Sequence, residues 1–101
     1  MIDITVEELK TRMDLNEPLN IIDVREPHEY DEFNIGARLI PLGTLPGMID
    51  ELAELKDEEL IIHCRSGNRS GTAKSFLVEA GFTKVRNLLG GMLEWQQKFK
   101  T

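Results

Sequence analysis

Short apolar runs alternate along this chain with stretches of helical period, and no other feature constrains the fold as strongly. Residues 20–24 (NIIDV), 38–40 (RLI), 60–63 (LIIH) and 85–88 (VRNL) are strand-length. The run at Asn20 to Val24 suits a strand buried on both faces. Between these runs lie amphipathic stretches. Thr5 and Glu8 form a capping box ahead of Val6, Leu9 and Met13 on one helix face. Pro27 opens a first helical turn that Glu29, Tyr30 and Phe33 continue. Pro41, Gly43 and Pro46-Gly47 mark a loop, after which Ile49, Leu52, Ala53 and Leu55 line the inner face of a helix. Ala73, Phe76, Leu77 and Ala80 recur at buried-helix spacing, and Gly81 stops that helix. A strand over 85–88, a turn at Gly90-Gly91 and a helix over Met92 to Phe99 complete the chain. Strands alternating with helices imply an α/β domain: a parallel sheet covered on both faces, with ligands at the carboxyl ends of its strands.

The bulk composition narrows the function. A chain of 101 residues, 41% hydrophobic and 30% charged, makes one domain with a core of its own. A net charge of −6 argues against nonspecific nucleic-acid binding. The single cysteine leaves no internal disulfide, and no apolar run reaches membrane-spanning length. Met1-Ile2-Asp3-Ile4 lacks a signal-peptide layout. The expectation is a soluble cytoplasmic protein with no nucleic-acid or membrane partner.

That one cysteine ends the run 60–63 and opens a polar loop, Cys64-Arg65-Ser66-Gly67-Asn68-Arg69-Ser70-Gly71, with a helical pattern behind it. A core cysteine has no reason to be followed by two arginines, since guanidinium groups are rarely buried unpaired. A nucleophilic thiolate needs this order: a strand to aim it, a tight loop whose N–H groups turn inward, and a helix start. Such surroundings pull a thiol below its free pKa of about 8.5. Ser66 and Ser70 can donate hydroxyl hydrogen bonds or cap the following helix, and Gly67 permits a tightly curved or left-handed backbone. Arg65 and Arg69 suit a multi-oxygen anion, with Arg69 expected to face inward because it closes the loop. His63, adjacent to the nucleophile on a strand, should point to the opposite face and not act as its base. His28 reads as a helix-surface residue, and Trp95, Phe76 and Phe82 as core. Two histidines and one cysteine at these spacings make no zinc site, and no P-loop lysine follows the glycines.

The loop C-R-S-G-N-R-S resembles the catalytic loop of the rhodanese family of single-domain sulfurtransferases. Ile21-Ile22-Asp23-Val24-Arg25-Glu26, followed by Glu29-Tyr30, is similar to that family's D-V-R-E motif and next helix. Ile40-Pro41-Leu42 and Leu89-Gly90-Gly91-Met92 with Trp95 are similar to its central I-P and its G-G-x-x-x-W segment. There is one departure. Where the family commonly has G-H-I-x-G-A, this chain reads Phe33-Asn34-Ile35-Gly36-Ala37, which bears on the pocket rim.

The resemblance implies a single rhodanese-like domain over residues 1–101, with a central, mostly parallel sheet and helices on both faces. It implies a sulfurtransferase that moves sulfane sulfur from a donor such as thiosulfate to cyanide or a thiol through a Cys64 persulfide. Residues 65 to 70 would bind the substrate and the persulfide, Asp23 and Arg25 would brace the loop, and no metal or cofactor is called for. The partners would be a small sulfur donor and an external acceptor thiol, small or protein-borne, because the chain has no second cysteine. Two alternatives stand beside it. One is a persulfide relay or binding module serving partner proteins, which needs the same loop. The other is a cysteine phosphatase or arsenate reductase. Against that, phosphatases place an arginine six residues after the nucleophile, whereas here the sixth residue is Ser70 and Arg69 is the fifth.

Overall fold

Leu60–His63 forms the strand around which the sheet is built, and all four of its residues are buried. The computed structural model describes residues 1–100; Thr101, inside the expected domain, lies outside the described residues. In chain order the elements are α1 (Val6–Asp14), β1 (Ile21–Asp23), α2 (Pro27–Glu32), β2 (Arg38–Leu39), α3 (Ile49–Leu52), β3 (Leu60–His63), α4 (Asn68–Glu79), β4 (Val85–Asn87) and α5 (Gly91–Lys98). The four strands are ordered β2-β1-β3-β4 and every pairing is parallel. Ile4 adds a parallel bridge to Leu88, so the N-terminal segment covers the β4 edge that would otherwise be open.

Alternation along β3 builds two apolar layers. Leu60, Ile62 and Cys64 face a cluster with Leu45, Leu52, Ala73, Leu77 and Phe82, from the α3 and α4 side. Ile61 faces the other, with Ile4, Val6, Leu9, Met92 and Trp95 from the α1 and α5 side. Each fully buried aliphatic side chain contributes about 1.5–3 kcal/mol, which outweighs the weak helix propensity of such short elements.

Three expectations need correction. The helix expected to carry Ile49 to Leu55 is broken. A 3₁₀ segment (Leu42–Met48, containing Pro46) leads into the four-residue α3, and a second 3₁₀ turn (Ala53–Leu55) follows. The i, i+3 spacing across these turns places Ile49, Leu52 and Leu55 on the core side, and Ala53 is turned out to solvent. α4 starts at Asn68, inside the polar loop rather than after Gly71. The capping box at α1 is half made. Thr5 Oγ1 accepts from the Glu8 N–H at 3.1 Å, but the Glu8 carboxylate is taken by Arg86 of β4, at 2.8 and 3.1 Å.

Candidate active site

Cys64 follows β3 and is 1% exposed. The chain then reverses through Arg65, Ser66 and Gly67 into α4. Gly67 has φ +105°, a left-handed conformation that only glycine adopts without strain, and it is the N-cap of α4. This turn aims backbone donors at sulfur: the Gly67 N–H lies 3.1 Å and the Ser70 N–H 3.4 Å from Cys64 Sγ. Sγ therefore sits at the positive end of a 12-residue helix. Ser70 Oγ is also 3.4 Å from Sγ, but its single proton has a closer acceptor in Asn87 Oδ1 at 2.5 Å. Burial alone would push the Cys64 thiol up; donation from Ser70, Gly67 and Ser66 outweighs it and holds the thiol below its ordinary value.

A second helix holds the backbone of the same residue. The α5 N–H groups of Met92 and Leu93 donate to the carbonyls of Cys64 and Arg65 at 3.0 and 2.9 Å. That approach requires Gly91. It has φ +54°, and a Cβ there would lie 2.6 Å from both carbonyl oxygens. Asn87 ties the turn from β4: its Nδ2 donates to the Gly67 carbonyl at 3.1 Å while Oδ1 accepts the Ser70 hydroxyl. Asn87 and Gly91 escaped the sequence reading as site residues. The signal for Asn87 was an amide in an otherwise core-forming strand, which must find partners.

Asp23 and Arg25 are buried and paired, with Arg25 Nη2 to Asp23 Oδ2 at 2.8 Å. Arg25 Nη2 also donates to the Phe33 carbonyl at 2.6 Å, so the pair braces the carboxyl end of β1 and the segment after α2. In that divergent segment Asn34 takes over the turn. Its Oδ1 accepts from Gly36 N–H and its Nδ2 donates to the Tyr30 carbonyl, at 2.9 and 3.0 Å. Arg65, Ser66 and Asn68 are exposed on the loop. Arg65 makes no ion pair among the described residues, whereas the Arg69 guanidinium is turned to Glu29 of α2, at 2.7 and 2.8 Å. His63 lies on the face opposite Cys64, fully buried, 3.8 Å from Asp23 Oδ2, and among the described residues neither ring nitrogen has a hydrogen-bond partner. Burial pushes it down to about 4, so the ring is neutral near pH 7. His28 is exposed on α2.

Fold and site together define an open α/β domain with an activated thiol at the carboxyl end of its central strand. The model of the Rhodanese-like domain family matches residues 5–98, and the chain belongs to that family. Among its relatives, Bacillus subtilis YrkF, named as a sulfur carrier protein, is 41% identical over 97 residues, covering 95% of this chain and 51% of that protein. A sulfurtransferase of Allochromatium vinosum is 34% identical over 94 residues, covering 92% and 86%. The crystal structure of a rhodanese-like domain protein from Staphylococcus aureus superposes with a TM-score of 0.81 at 36% identity, covering 94% and 91%. The chain thus spans about half the length of YrkF and most of the other two. It is a member of a sulfurtransferase and sulfur-carrier family.

Proposed function

We propose that this domain moves sulfane sulfur through a persulfide on Cys64. The observation that carries the reading is the cradle itself: a buried sulfur facing two backbone N–H groups at a helix N-terminus, at 3.1 and 3.4 Å. The thiolate attacks the outer sulfur of a donor. With thiosulfate the S–S bond breaks and its electron pair leaves with sulfite, giving Cys64–S–S⁻. An acceptor thiolate or cyanide then takes the terminal sulfur and restores the thiolate. This is covalent catalysis in two steps, and donors aimed at a developing anion are worth roughly 3 kcal/mol each. Arg65 supplies positive charge at the loop, Arg69 is shared with Glu29, and Asp23 with Arg25 keeps the base of the loop fixed. The phosphatase reading is disfavoured by the loop length, since the arginine is the fifth residue after the cysteine and its guanidinium is occupied by Glu29.

The test is intact-protein mass spectrometry after treatment with thiosulfate, and separately with cysteine persulfide. The expected result is a gain of one sulfur atom, reversed by cyanide or reductant and absent in Cys64→Ser. No adduct from either donor would overturn the proposal. A second reading, delivery of the sulfur to a partner protein, is supported by the likeness to a protein named as a sulfur carrier. An acceptor protein that discharges the persulfide much faster than small thiols do would favour it.

A further inference from the structure

Arg69 is not free to greet an anion. Glu29 holds it with both carboxylate oxygens, at 2.7 and 2.8 Å, and Glu29 is itself restrained, because its Oε1 accepts the Glu26 N–H at the start of α2, at 3.0 Å. The Glu29 side chain is 17% exposed, so solvent screens the pair only in part. Hydrogen bonding from Arg69 holds the Glu29 carboxyl down at about 2, against the effect of burial, so the carboxylate stays charged wherever the protein works. Arg69 sits in the first turn of α4, directly before Ser70, whose N–H lies 3.4 Å from Cys64 Sγ. A carboxylate fixed on this guanidinium therefore acts on whatever approaches the sulfur.

On the reading that Cys64 carries the sulfur, we infer that Glu29 is a specificity residue that biases the loop toward persulfide donors and against sulfonate donors. Thiosulfate, the sulfonate donor of the test, is dianionic. It must either draw Arg69 away from Glu29 or bind beside a neutralised guanidinium; both weaken its capture. A persulfide donor, R–S–SH, carries no oxyanion on the sulfur it transfers. The Cys64 thiolate attacks its outer sulfur, the S–S bond breaks, its electron pair leaves as the thiolate R–S⁻, and Cys64–S–SH remains with the proton. Charge is conserved. Glu29 acts through Arg69 and is a positioning residue.

The experiment is the rate of persulfide loading against donor concentration, for thiosulfate and for cysteine persulfide, in wild type, Glu29→Gln, Arg69→Ala and the double variant. Glu29→Gln is expected to lower the thiosulfate KM about tenfold with little change in kcat, and so shift the donor preference toward thiosulfate by the same factor. In the Arg69→Ala background the same substitution should move the preference by less than about twofold. An unchanged or higher thiosulfate KM in Glu29→Gln overturns the inference, as does an equal effect in both backgrounds. Should Glu29→Gln fail to fold, Glu29→Asp takes its place. Its shorter arm cannot keep both bonds, and a smaller fall in the same direction is required. If wild-type Cys64 loads from neither donor, the persulfide reading falls and the role of Glu29 with it. If it loads from both and Glu29 is without effect, only the role of Glu29 falls.

Discussion

Ser70 has one hydroxyl proton and two acceptors. At 2.5 Å Asn87 Oδ1 takes it ahead of Cys64 Sγ at 3.4 Å, so the hydroxyl braces the loop while the Ser70 amide serves the sulfur. Ser70→Ala keeps the amide but strands the Asn87 oxygen. It is expected to lower stability by about 1–3 kcal/mol, read from the denaturant midpoint. Thiolate formation and alkylation of Cys64 near neutrality should change by less than about twofold, because the amide donor is retained; a clear shift of the titration to higher pH would show that the hydroxyl acts on the sulfur directly. The chemical identity of Cys64, Ser70 and the two arginines was legible from the sequence. The partner of Arg69 was not, because Glu29 lies 40 residues away and nothing local points one to the other.

Two helix N-termini meet at one residue. α4 presents N–H groups to the Cys64 sulfur and α5 to its carbonyl, which fixes both ends of the residue. The second contact depends on Gly91, whose positive φ and lack of Cβ let α5 approach the chain at 65. Gly91→Ala is expected to cost about 2–4 kcal/mol and to abolish persulfide loading even where the protein remains folded, measured by thermal melting beside the mass assay. Loading at the wild-type rate would show that the loop needs no support from α5. Helical period and turn residues showed most elements in advance, since strand alternation and the stripe at Ala73, Phe76 and Leu77 are local patterns. They placed the start of α4 too late, because Asn68-Arg69-Ser70 carries no apolar periodicity. They also missed the 3₁₀ winding at 42–48 and 53–55, which is set by packing onto the sheet rather than by propensity.

Across the molecule, the face opposite Cys64 carries a histidine sealed among apolar and paired groups. His63 falls from the ordinary 6.5 to about 4, chiefly by burial, with Asp23 opposing and Arg25 adding to the effect. A base with a lowered folded pKa contributes stability above its unfolded pKa and loses it as pH falls toward the folded one. Stability should therefore decline from about pH 6.5 to about pH 4, by on the order of 3 kcal/mol from this group. Glu29, held down to about 2 by Arg69, continues the decline below the ordinary carboxylate range. His63→Met should flatten the upper part of the profile, measured as melting temperature against pH; an unaltered slope would assign it to other groups. On the β4 side, Arg86 is 5% exposed and joins Glu8 and Glu59, at 2.8 and 3.0 Å. Arg86→Ala leaves Arg12 as the remaining guanidinium on Glu59, at 2.6 Å, and returns the half-exposed Glu8 to solvent, so it should cost about 1–2 kcal/mol in a denaturant titration, more at low salt than at high. By itself the sequence determined the parallel α/β order, the strand that delivers Cys64 and the set of donor groups in its loop, because period, turn residues and a thiol among donors are all local. Tertiary structure alone decided that α5 and Asn87 brace the loop, that His63 is buried without partners, and that Arg69 belongs to Glu29. Each of these joins residues far apart in the chain, and only packing against the common sheet brings them within hydrogen-bonding or Coulombic reach.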